Sequence, residues 1–197
     1  MAAGRKRTFD KEKALSRAME VFWLKGYNGA SLSDLTEAMG INKPSLYAAY
    51  GNKGELFVSA INQYVSDYGL PHFDKLIKQG TSLKDRVQSY LESISMMLTD
   101  SKLPGGCFVA SSTCEVGSKC LPTEAIRAVI EVNAESTKAF ISFFETEQAK
   151  GNLPQDSSPQ VLADYLLTTQ FGLAVMARDG IKRERLESVI KHVVSRF

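Results

Sequence analysis

Most segments between the glycines and prolines of this chain repeat their apolar residues at helical spacing, and none alternates with period two over strand length. That pattern restricts the fold to an all-α architecture. Six prolines and fourteen glycines divide the 197 residues into segments that read as about nine helices. There is no internal repeat and no low-complexity tract. With 44% apolar and 23% charged residues, a packed core is affordable and the disordered class is excluded. The longest apolar stretch, Phe171 to Ala177, is far too short to span a bilayer, so no membrane partner is expected. Met1 to Asp10 is basic without an apolar run behind it, which does not fit a secretory signal.

Local start and stop signals crowd the N-terminal third. Asp10 can cap a helix to about Lys25, which buries Ala14, Ala18, Val21 and Phe22 and ends at Gly26. Ser31 to Asp34 has the form of a capping box. It opens a short helix that buries Leu35, Ala38 and Met39 and stops at Gly40. A third helix starts at Asn42 to Pro44, where a proline lacks no useful N–H, and ends at Gly51. Asn52 and Glu55 cap a fourth, running to about Tyr68. Beyond Gly69, with Pro71 read as a turn, helices are expected at 82–100, 105–117, 122–149, 157–179 and 182–196.

Residues 31–50 therefore form two short helices joined by a tight turn, the geometry of a helix-turn-helix, whose second helix fits a major groove. Leu46 faces inward, while Lys43, Ser45, Tyr47, Ala48 and Tyr50 reach outward or to the flanks. Charge is distributed accordingly. Residues 1–55 hold nine basic and six acidic groups, net +3, and the rest hold fifteen and sixteen, net −1. The basic arm Arg5-Lys6-Arg7 could follow a phosphate backbone or enter a minor groove.

The run from Ala14 to Leu56 resembles the TetR family of transcriptional regulators. The matching pieces are Ala18-Met19-Glu20-Val21-Phe22, Gly26-Tyr27, Ser31-Leu32-Ser33-Asp34-Leu35, Ala38-Met39-Gly40-Ile41, Ser45-Leu46-Tyr47 and Asn52-Lys53-Gly54-Glu55-Leu56-Phe57. The resemblance implies a helix-turn-helix DNA-binding domain over 1–68 and a helical sensing and dimerisation domain over 69–197. It implies a cytoplasmic, non-enzymatic homodimer on a palindromic double-stranded operator. This would be a repressor released by a small-molecule inducer of unknown identity or by cysteine modification.

On this resemblance, Ser31 and Ser33 meet phosphate at the start of the second helix. Asn42, Lys43, Pro44 and Ser45 approach base edges, Tyr47 bonds phosphate, and Lys53 clamps the backbone. Ala48 and Ala49 replace larger polar residues of many relatives, so readout rests on Lys43 and a thymine-methyl contact by Ala48. Tyr50 is expected to pack. The last two helices would form the dimer seam, with Val161, Leu162, Tyr165, Leu166 and Thr169 on one and Leu186, Val189, Ile190, Val193 and Val194 on the other. Candidate pocket linings are Leu91, Ile94, Met97, Leu98, Phe108, Phe140, Phe144 and Phe171.

Three cysteines, Cys107, Cys114 and Cys120, make a poor disulfide framework, and no ligand spacing suggests a metal or cofactor. Cys107 follows Pro104-Gly105-Gly106, so a helix dipole would lower its thiol pKa and suit it to sensing. This segment resembles a TetR subgroup with Gly-Cys after the fifth helix. Cys114 and Cys120, the latter beside Lys119, could be resolving partners. A small buried residue is the plainer reading of Cys107. Two other functions remain open on the residues alone: an enzyme with Cys107 as nucleophile, needing His72 or His192 as base, and a helical adaptor for protein.

Overall fold

The computed structural model describes residues 9–118 and 120–197. Arg5, Lys6, Arg7 and Lys119 lie outside the described residues. Among the described residues all regular structure is helical. The N-terminal group comprises α1 (Lys11–Gly29), α2 (Leu32–Met39), α3 (Lys43–Tyr50) and α4 (Lys53–Tyr64). A π-turn, Val65–Gly69, leads directly into α5 (Leu70–Ile77). Then follow α6 (Leu83–Leu98), α7 (Phe108–Val116), α8 (Thr123–Ala149), α9 (Pro159–Arg178) and α10 (Arg183–Val194). Counting α4 to α5 as one rod gives nine.

Two expectations on boundaries need correction. Pro71 does not end a helix; it stands in the first turn of α5, where its missing N–H has no helical partner. The preceding π-turn gives the chain the wider coil that a proline ring needs beside the carbonyl four residues back. Gly26 breaks α1 where expected but is not its last residue. It takes φ +70°, open to glycine and strained for other residues, and the helix resumes for one turn to Gly29. Ala38, expected in the core, is exposed.

The kink at Gly26 sets free backbone groups that other helices satisfy. Arg178 at the end of α9 donates to Trp23 O at 3.1 Å, Leu24 O at 2.8 Å and Gly105 O at 3.3 Å. Trp23, itself fully buried, donates its indole N–H to Gly105 O at 3.1 Å. The helices α1 and α4 pack on one another, α1 also packs on α2 and α7, and α4 also packs on α8. A continuous aromatic cluster runs through this seam, from Phe22 and Tyr27 through Phe57 and Phe108 to Tyr64 and Trp23. These ring pairs, edge-on except for the parallel Phe22 and Tyr27, add modestly to the stabilisation from the area they bury. The helix α6 packs against α5, α9 and α10. Leu186, Ile190, Val193 and Val194 of α10 are buried by the chain itself, so most of that helix's apolar repeat serves the protomer's own core rather than a seam between copies.

Candidate nucleic-acid interface and cavity

The helix pair α2–α3 is set by reciprocal caps. Ser31 Oγ accepts from Asp34 N at 3.0 Å while Asp34 Oδ2 accepts from Ser31 N at 2.9 Å. Lys25 Nζ reaches Asp34 Oδ1 at 2.7 Å, and this bond with those from Ser31 holds the Asp34 carboxyl well below the usual carboxylate range. Gly40, at φ +66°, turns the chain from α2, and Asn42 Oδ1 accepts from Ser45 N at 2.9 Å to start α3. Leu46 is fully buried beneath that helix. Asn42, Lys43, Pro44, Tyr47 and Ala48 are exposed on it, Ser45 is half-buried, and Ser31 and Ser33 are exposed at the start of α2. These residues thus lie on two adjacent short helices, with 48% of Tyr47 open to solvent.

Two flanking residues are engaged within the chain. Tyr50 donates its hydroxyl to Lys11 O at 2.6 Å, a packing role. Lys53 is half-buried with its ammonium 4.2 Å from the centre of the Tyr27 ring. Burial there pulls its pKa down, opposed by the nearby Glu115.

A cavity of about 560 Å³ opens among α4, α5, α6, the start of α7, α8 and α9. Ile94, Met97, Leu98, Phe140 and Phe171 line it. Leu91, Phe108 and Phe144 do not; they are buried in the core. Cys107 and Tyr64 also line it, as do polar residues that sequence periodicity could not pick out, among them Gln170, Asn133 and His72. Tyr90 donates to Gln170 Oε1 at 2.6 Å, Asn133 donates to Thr113 at 2.9 Å, and His72 Nδ1 is 2.9 Å from Ser93 Oγ.

Comparison with known proteins defines the family. Residues 14–60 match the bacterial regulatory proteins of the tetR family. The solved structure of the TetR family transcriptional regulator CifR, a cysteine mutant complexed with 26 bp double-strand operator DNA, is 38% identical. The match covers 98% of both chains with a TM-score of 0.85. The chain belongs to the TetR family. The transcriptional repressor ComR of Escherichia coli (strain K12) is 28% identical over 186 residues, covering 94% of this chain and 88% of that protein. The reduced form of NemR from Escherichia coli shares the fold, with 19% identity, a TM-score of 0.79 and coverage of 92% and 93%.

As a TetR protein the chain is a transcriptional regulator and not an enzyme. His72 is paired with Ser93 and His192 is exposed on α10, so neither is bonded to the thiol of Cys107. The expectation for Cys107 acidity is reversed. Burial dominates and pushes the thiol up, opposed first by the Tyr64 hydroxyl and then by the N–H groups of Ala110 and Val109, although the residue does occupy the N-cap position of α7. Cys114 and Cys120 are exposed, and all three are free. In this TetR chain no helix among the described residues is long and apolar enough to cross a membrane. The described residues also hold no cluster of three or more potential metal ligands.

One apolar surface remains open. Val161, Tyr165, Gly172 and Val175 recur at helical spacing along the exposed side of α9, with 63% of Val161 and 61% of Val175 in solvent. Val189 is the exposed apolar residue of the neighbouring α10.

Proposed function

We propose that this TetR regulator is a cytoplasmic repressor that binds a palindromic operator as a homodimer and leaves it when a small molecule fills the cavity among α4 to α9. The observation that carries the reading is the solvent-facing edge of α2–α3. Exposed Ser33, Lys43 and Tyr47 stand over a buried Leu46, in a chain 38% identical to a regulator solved on operator DNA. Residues 1–68 read the operator, and residues 69–197 carry the dimer contact and, together with the end of α4, hold the effector. Ser31, Ser33, Tyr47 and Lys53 contact phosphate; Asn42, Lys43, Pro44, Ser45 and Ala48 address the bases. The arm Arg5-Lys6-Arg7 adds contacts beside them. The exposed valines of α9 with Val189 form the seam that doubles the contacts across two half-sites.

Ligand binding lowers operator affinity only by the difference in its affinity for the DNA-competent and released states. Because Cys107 lines the same cavity, its covalent modification is a second route to release. Footprinting of the full-length protein on genomic fragments tests the reading. A protected palindrome, with affinity falling steeply as salt rises, is the expected result. Salt-insensitive binding, or none to any fragment, refutes it.

A further inference from the structure

The cavity lining has an uneven chemistry. Among the described residues it contains no Lys or Arg, and the ionisable groups on its α8 side are Glu131 and Glu135, both exposed. Its histidine, His72, is shifted down by burial and by Lys75 outside the lining, which disfavours a positive charge there. No cationic side chain in the wall offsets a ligand's negative charge, and the two exposed glutamates oppose it through solvent. The apolar side chains Ile94, Met97, Leu98, Phe140 and Phe171 supply most of the surface. A space of about 560 Å³ is of the size that holds small organic ligands.

One polar group is left over. The Tyr64 hydroxyl is buried without a hydrogen-bond partner, while the Tyr90 hydroxyl of the same lining is donated to Gln170. The thiol of Cys107 and the N–H of Phe108 approach the Tyr64 oxygen without meeting hydrogen-bond geometry. Burial raises the Tyr64 pKa, so the group stays a phenol and a donor. A buried donor without an acceptor is rare and costly, and an acceptor brought by a ligand removes that cost.

We infer that the cavity selects an uncharged, mostly apolar ligand bearing one carbonyl-type oxygen, that Tyr64 donates its hydroxyl proton to that oxygen, and that anionic ligands are excluded. The inference rests on the cavity being the effector site and adds the chemical class of the effector. Tyr64 also stacks edge-on against Trp23, the only tryptophan, with ring centres 4.8 Å apart, so indole fluorescence reports directly on the site.

Three probes of one shape separate the claims: benzylacetone, neutral with a carbonyl; butylbenzene, without an acceptor; and phenylbutyrate, an anion. Binding to the full-length protein is followed by Trp23 fluorescence and by calorimetry. The expected order is benzylacetone tightest, with phenylbutyrate weaker by roughly tenfold or more. Tyr64→Phe weakens benzylacetone by roughly five- to tenfold and leaves butylbenzene unchanged, which also shows that the cavity remains formed. Phenylbutyrate binding as tightly as the ketone, or Tyr64→Phe affecting ketone and hydrocarbon alike, overturns the inference. If none of the three binds, the effector-site reading falls and this inference with it. If they bind in the expected order but operator complexes survive saturation, the effector reading falls while the ligand class stands.

Discussion

Tyr27 N donates to Glu115 Oε2 at 3.2 Å, joining the kink of α1 to the last turns of α7. The bond exists because Gly26 breaks the helical ladder and leaves that N–H without its usual partner, the Trp23 carbonyl, which Arg178 takes instead. Glu115 and Arg178 thus hold the two sides of one break. The same α7 carries Cys107 at its cavity end. Gly26→Ala is strained by its φ of +70°, and because its Cβ would lie 2.2 Å from Glu115 Oε1 the carboxylate must swing away from Tyr27 N. The expected loss is about 1–3 kcal/mol, read as a fall in thermal midpoint of several degrees. Glu115→Ala should cost about 1–2 kcal/mol, and Glu115→Gln, which keeps an acceptor, less.

Lys43 and Lys53 should fail differently on operator DNA. Lys43 is exposed at the first turn of α3, free to reach a base edge. Lys43→Ala is expected to erase about 1–3 kcal/mol of discrimination between operator and a single-base variant. Lys53→Ala is expected to weaken all sequences alike and to lower the salt slope by about one phosphate's worth. Titrations at several salt concentrations on both duplexes check this. Equal behaviour of the two mutants contradicts the assignment.

The helix-turn-helix was legible in the sequence because its signals are local. Asp10, Ser31, Asn42 and Asn52 each cap a helix from within three residues, and Gly40 turns the chain between α2 and α3. The cavity was only half legible. Apolar spacing cannot separate Phe140, which lines it, from Phe144, which packs in the core. Tyr64 was missed because its isolation depends on α7, more than forty residues away in the chain. The acidity of Cys107 was misjudged for the same reason. The helix terminus was visible in Pro104-Gly105-Gly106, but the burial that outweighs it comes from other helices.

The exposed stripe on α9 predicts a concentration-dependent phenotype. Val175→Glu places a charge where 61% of an apolar side chain now faces solvent, so the folded protomer should tolerate it. A seam that buries this valine should not. Light scattering should show a monomer of unchanged helicity, with operator affinity reduced as one half-site contact is lost. A Val175→Glu dimer would move the seam elsewhere.

Thiol labelling should run against the order suggested by the Gly-Cys segment. Cys114 and Cys120 are exposed, while Cys107 is buried with its pKa raised, so its thiolate is scarce at neutral pH. Iodoacetamide at pH 7 should modify Cys114 and Cys120 first, as read by peptide mass spectrometry. Labelling of Cys107 should accelerate as pH rises. Fast labelling of Cys107 at pH 7 would mean that the cavity opens far enough to hydrate the thiol.

Acid should find its weak point at the pairing of α6 with α8. Arg86 binds both oxygens of Glu147, through Nη1 at 3.1 Å to Oε1 and through Nη2 to Oε2, and also donates to Leu76 O at 2.9 Å. Asn152 donates to Glu147 Oε2 at 2.7 Å and Lys150 to Oε1 at 3.1 Å. These bonds, led by that of Arg86, hold the carboxyl at about 2 against an ordinary 4.5. A folded-state pKa below the unfolded one means stability that is complete above the unfolded value and lost as pH falls through the folded value. The contribution is about 3 kcal/mol, present at pH 6 and disappearing between about pH 5 and pH 2. Urea titrations across that range should show the decline in the wild type. Glu147→Gln should flatten it while lowering stability at pH 7 by about 3–5 kcal/mol, because Arg86 is then left buried without its counter-charge. An unchanged acid profile in that variant would assign the acid sensitivity to other carboxylates.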